Sequence, residues 1–131
     1  MRARAAIAMA LMAAPHALAQ AAAEPDAFLA ISYLPGVDRP FEGERRLGER
    51  LDVLLAGWAH VDGTIYVCPL PAAEAVDAPA LHWRRAARVA KMVAARTALP
   101  VRSGLRQCPP LTKTVEGSMP AVAVALYPAA R

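Results

Sequence analysis

The chain predicts an α/β fold, a two-layer sandwich in β-α-β-α-β-β order with two helices packed on one face of a small mixed sheet. Two observations carry this. Apolar residues recur at helical spacing in two stretches, 47–58 and 81–99, and these stretches alternate with short runs of β-branched, aromatic or alternating residues. A third concerns size, since about 110 residues support one compact core and no more.

The elements follow in order. Phe28 to Leu34 alternates weakly and meets Pro35-Gly36, which predicts a strand and then a turn. Leu47, Leu51, Leu54, Leu55 and Trp58 share one stripe of a helix, while Glu44, Arg45, Glu49, Arg50 and Asp52 fall off it. Asp62-Gly63 is a turn signal that stops this helix near His60, and Thr64 to Leu70 reads as an inner strand closed by Pro69 and Pro71. Leu81 to Leu99 forms the second helix, bounded by Pro100, with Ala86, Val89, Ala90 and Val93 inward. On that helix Arg84, Arg88 and Lys91 make an outer basic stripe, and Arg85 and Arg96 sit at its boundary. Val101 to Cys108 alternates with Arg102 and Arg106 on one face, which predicts a strand. Pro109 to Pro120 is a loop carrying Thr112, Thr114 and Ser118, and Val122, Val124 and Leu126 mark the last strand.

Ahead of these elements Arg2 and Arg4 precede an apolar run from Ala5 to Ala14 and the small-residue triplet Ala17-Leu18-Ala19. That order reads as a signal peptide over 1–19, leaving a single α/β domain over 20–131 with its ordered core at about 28–127. The run is too short to span a bilayer, which needs roughly 20 apolar residues, so the expected location is periplasmic or secreted and not membrane-spanning. In an oxidising compartment the two cysteines, Cys68 and Cys108, are expected to form one disulfide.

Charge divides along the chain. Gln20 to Asp77 holds ten acids and four bases, whereas Ala78 to Val115 holds eight bases and no acid. A basic face outside the cytoplasm favours anionic partners; the competing reading is a solvated face balanced by the acidic half. The same basic residues lack the interleaved aromatics of a nucleic-acid interface, apart from Trp83, so no nucleic acid is expected. His60 and His82 fit no zinc-ligand spacing with the cysteines, and Glu42 and Glu44 flank a helix start where acids favour the dipole. With no nucleophile and base to pair, and no glycine-rich phosphate loop, the reading is a non-enzymatic protein without metal or cofactor.

The stretch Leu81-His82-Trp83-Arg84-Arg85-Ala86-Ala87-Arg88-Val89 resembles the helix start Leu-Ser-x-x-Arg-Ala-x-x-Val of the OmpA-like peptidoglycan-binding domain, with His82 where Ser is usual. Ile65-Tyr66-Val67 is similar to the strand that leads to the family's Gly-His-Thr-Asp; here it runs into Cys68-Pro69-Leu70-Pro71-Ala72 and those four residues are gone. The resemblance implies that Arg85 grips a carboxylate of the wall peptide in a bidentate fork, at a cleft beside the end of that strand. Arg84, Arg88 and Lys91 would add general attraction. The leading expectation is therefore an exported envelope protein that binds peptidoglycan or another anionic envelope component. The alternatives are an accessory protein-interaction subunit of an envelope assembly, such as secretion or pilus machinery, and a small secreted hydrolase.

Overall fold

The computed structural model describes residues 27–70, 77–109 and 119–129, so the leader at 1–19 and the loop positions Thr112, Thr114 and Ser118 lie outside the described residues. Its elements are β1 (Ala27–Ser32), α1 (Glu44–Gly57), β2 (Gly63–Leu70), α2 (Pro79–Ala94), β3 (Val101–Arg102) and β4 (Ala121–Pro128). This is the expected α/β order. The strands form one mixed sheet ordered β1-β4-β2-β3, with β4 antiparallel to both its neighbours and β2 parallel to β3.

Both helices bury their stripes in one core. Leu47, Leu51 and Leu55 from α1, Trp58 just past its end, and Ala86, Val89 and Val93 from α2 meet Ile31, Ile65, Val67, Val122, Val124 and Leu126 of the sheet. Successive strand residues face opposite ways, so the small residues between these large ones line the other face. There Cys68, Leu70, Ala121, Ala123 and Ala125 are buried as well, and Tyr66 packs edge-on against Tyr127 at 5.2 Å. The last strand is thus buried and apolar on both faces.

Pro69 lies inside β2 rather than ending it. All of β2 is in register with β4, but Ile65 N–H donates away from it, to Pro100 O at 2.9 Å, so by alternation Thr64, Tyr66, Cys68 and Leu70 bond toward β4 while the backbone of Ile65, Val67 and Pro69 faces the β3 side. Because β3 is paired only at Ile65 and Tyr66, no strand among the described residues asks Pro69 for the N–H it lacks. At the other end of β2 a Cβ on Gly63 would stand 2.5 Å from Tyr127 O, and glycine alone permits that approach to β4.

Two boundaries differ from the sequence reading. The second helix starts at Pro79 and ends at Ala94, five residues before Leu99. Proline is at home in a first turn, and past the helix the Thr97 hydroxyl accepts the Leu99 N–H at 3.1 Å, while Pro100 disfavours helical backbone at the residue before it. The strand expected over Val101 to Cys108 is only Val101–Arg102. Continuing the β2–β3 register would set Gly104 beside Cys68 and carry Cys108 far past it. Instead the chain turns at Gly104, whose carbonyl accepts both Gln107 N–H and Cys108 N–H at 3.1 Å, and folds Cys108 back onto β2.

The expected bridge is present: Cys68 and Cys108 form a disulfide with Cα atoms 5.9 Å apart, and Cys108 Sγ lies 3.6 Å from Val67 O. It closes a loop of sequence separation 40, for which the chain-entropy model gives about 3–4 kcal/mol. Replacing both cysteines by alanine is expected to lower stability by about that amount, measured by urea denaturation, and thiol titration of the unreduced denatured protein is expected to find no free thiol.

Candidate functional site

Arg85 falls one helical turn after Leu81 and one before Val89, both buried, so the fold turns its side chain inward rather than to a rim. It is 1 % exposed. A buried guanidinium must have its charge and its donors met, and here the chain itself meets the charge and the donors of Nε and Nη2. Nε and Nη2 donate to the Val37 carbonyl at 2.9 and 2.7 Å, and Nη2 also reaches the Leu34 carbonyl at 3.2 Å. Nη1 stands 3.0 Å from Asp77 Oδ2; the two atoms make an ion pair off the hydrogen-bond direction, and neither has a hydrogen-bond partner among the described residues. Asp77 Oδ1 accepts the Gly36 N–H at 2.9 Å. The guanidinium carbon lies 4.8 Å from the centre of the Tyr33 ring, a cation–π distance.

The turn that presents these carbonyls is the expected Pro35-Gly36. Val37 N–H donates to Leu34 O at 3.1 Å, and Gly36 has φ 74°, as the third position of a type II turn demands. Tyr33 pairs with Pro40 across an isolated bridge, so residues 33–41 form a tight excursion that Arg85 pins from beneath. Burial of the Tyr33 phenol pushes its pKa up to about 12; Arg85 and Arg88 pull the other way, and Asp38 and Glu44 add to the rise.

This geometry corrects the placement implied for Arg85. The expected position was a cleft beside the end of β2, open to an incoming carboxylate. The fork is instead enclosed under the turn after β1 and carries an internal carboxylate, Asp77. Sequence reasoning missed Asp77, Tyr33 and the two carbonyls, which stand eight to fifty-two residues before Arg85 in the chain. The available signal was the boundary position of Arg85 on the helix, together with an acid just ahead of the Pro79 helix start.

Arg84, Arg88 and Lys91 do form the outer stripe. Arg84 Nε is 3.3 Å and Arg88 Nη1 3.5 Å from the same Asp38 oxygen, and Arg88 Nε is 3.8 Å from Glu44. Arg96 meets Asp52 at 2.8 Å, and Arg50 lies 2.8 Å from both Glu42 oxygens. The acidic and basic halves of the sequence are therefore interleaved across α1, α2 and the turn between β1 and α1. Exposed Lys91, Arg102 and Arg106 make no ion pair among the described residues. His60 is exposed and His82 half-buried, and no group of three or more His, Cys, Asp or Glu among the described residues is arranged to hold a metal ion.

No protein-family model, curated protein or solved structure matches the chain. Among the described residues, no helix is long and apolar enough to cross a membrane.

Two outcomes follow from this cluster. Arg85→Ala is expected to cost about 3–5 kcal/mol, because it strands a buried carboxylate and two carbonyls, while Arg88→Ala, about half exposed, is expected to stay within about 1 kcal/mol. Denaturation midpoints compare the two directly. The second outcome concerns Tyr33, which titrates near 10 when unfolded and about 12 when folded. Between those values the unfolded chain binds fewer protons, so the stabilising contribution, complete below pH 10, is lost as pH rises toward 12. Tyr33→Phe is expected to flatten that part of the stability–pH curve and leave the slope at neutral pH unchanged.

Proposed function

We propose that this is an exported, non-enzymatic binding module of the cell envelope, and that it acts through a protein contact within an envelope assembly. The observation that carries the choice of partner is Arg85, at 1 % exposure with its fork engaged by Val37, Leu34 and Asp77. A wall carboxylate would have to displace Asp77 from a buried pair, leaving that carboxylate without its cation, a cost of several kcal/mol. The missing Gly-His-Thr-Asp works in the same direction, since it removes the rest of the ligand clamp that the OmpA-like resemblance implies. Export is supported by the order of charge, apolar run and Ala-x-Ala at the N-terminus, and the disulfide is compatible with it. On this reading the helix motif is kept for folding, and recognition has moved elsewhere on the domain.

A second reading keeps an anionic envelope polymer as partner. It draws on Lys91, Arg102 and Arg106, three of the exposed cations without ion pairs among the described residues. Such binding would be diffuse and strongly weakened by salt.

Sedimentation with purified peptidoglycan separates the two readings, together with crosslinking in the native envelope. The expected result is no saturable retention on peptidoglycan at physiological salt, and a discrete crosslinked product with an envelope protein in cells whose mature chain begins at or near Gln20. Saturable retention that Arg85→Ala abolishes would overturn the protein-contact reading. Weak retention that disappears with salt and with a Lys91, Arg102 and Arg106 triple alanine variant would favour the second.

A further inference from the structure

We infer that β1 is a dimerisation edge, taking the β1 edge of a second copy of this chain. In the sheet order β1-β4-β2-β3, β1 has a neighbour on one side only among the described residues. The register fixes which backbone groups that leaves free. Tyr33 N–H donates to Pro120 O at 2.9 Å, so Tyr33, Ile31, Leu29 and Ala27 bond toward β4, while Phe28, Ala30 and Ser32 turn N–H and C=O outward. Phe41 N–H donates to Ser32 O at 2.8 Å and closes the edge at that end. The outward groups of Phe28 and Ala30 have no partner among the described residues.

Edges of this kind are normally blunted by a charge, a proline or a bulge. The sequence Ala-Phe-Leu-Ala-Ile-Ser has neither charge nor proline, and its pairing with β4 runs without interruption. Beside it lies an open groove of 580 Å³, floored by Leu29, Leu54 and Val53. Val53 is 78 % exposed on an otherwise orderly amphipathic helix. An unprotected strand edge with exposed apolar residues beside it is a surface built for strand addition.

A second copy is the occupant that these features fit. Antiparallel pairing of two β1 edges about a two-fold axis at Leu29 sets Phe28 opposite Ala30 of the other copy, and each pair exchanges both N–H and C=O groups. The groove rim carries Glu42 and Glu49 against Arg46 and Arg50. A patch that must meet itself needs both signs in balance, because a one-signed rim would repel its own image, whereas a strongly charged foreign segment finds no net field here to select it. The contact uses neither Arg85 nor the α2 stripe, so it stands or falls independently of what else the protein binds.

The experiment is analytical ultracentrifugation of the purified protein over a concentration series, with two variants. Ala30→Pro removes an outward N–H that the monomer does not use, at the kind of edge position where proline is tolerated. Val53→Glu places a charge on the groove floor at an exposed helical site. The wild type is expected to sediment as a dimer, and each variant to raise the dissociation constant by about tenfold or more with its circular dichroism spectrum unchanged. If Ala30→Pro fails to fold, Val53→Glu decides. A wild type that stays monomeric at the highest attainable concentration overturns the inference and leaves the groove to a strand from another protein; a dimer that withstands Val53→Glu overturns it equally.

Discussion

A cation that is almost completely buried has to be answered, and the answer at Arg85 holds three parts of the chain together. The guanidinium is carried by α2, its carbonyl partners lie in the turn after β1, and its carboxylate partner lies just ahead of the helix. Each is in reach only if α2 begins where it does relative to the end of β1, although the two elements are not paired in the sheet. Replacing a buried ion pair by apolar residues is often neutral or stabilising, so the pair is better understood as a positional constraint than as a source of stability. Its effect is local specification: the 33–41 excursion has one depth, one turn type and one side facing the helix.

The rest of the sheet is governed by backbone direction. Because β4 takes the alternate groups of β2 on one side, the opposite groups are left for β3, and β3 supplies only two residues. That asymmetry lets Pro69 sit inside a strand and frees Val67 O to lie near Cys108 Sγ. The disulfide then does beyond Tyr66 what a longer β3 would have done with ladder hydrogen bonds, tying the segment after α2 to β2 by a covalent link. A strand over Val101 to Cys108 and this bridge were mutually exclusive, since an extended chain carries Cys108 past Cys68 by about 13 Å.

Local periodicity accounts for how much was legible in the sequence. The stripes Leu47 to Trp58 and Ala86 to Val93, the runs 64–70 and 122–126, and the cysteine pairing all depend on spacing within a segment or on a count of two, and the structure has them. What was not legible depends on groups distant in the chain. Arg85 stands at the edge of its helical stripe, where the pattern allows either inside or outside; the decision was made by Val37, 48 residues away, and by an aspartate in a loop. The candidate site was therefore readable as a set of residues on α2 but not as a geometry. The boundary errors have the same origin, because Thr97 and Gly104 act through single hydrogen bonds that no periodicity announces.

Charge shows most clearly how sequence order misleads about surfaces. Ten acids and then eight bases look like two opposed faces, yet α1 and α2 pack side by side in the same direction, and Asp38, Glu44 and Asp52 come to rest beside Arg84, Arg88 and Arg96. Such half-exposed pairs contribute little individually to stability, about 0–1 kcal/mol each. Their larger consequence is for the field: paired charges cancel within a few ångströms, so Arg84 and Arg88 of α2 and Arg96 just past its end stand in ion pairs, and Lys91 alone of the outer stripe has none among the described residues. A partner guided by long-range attraction gains little from such a surface. Backbone hydrogen bonds added along the uncharged β1 edge inferred above would, by contrast, be contacts that salt does not screen.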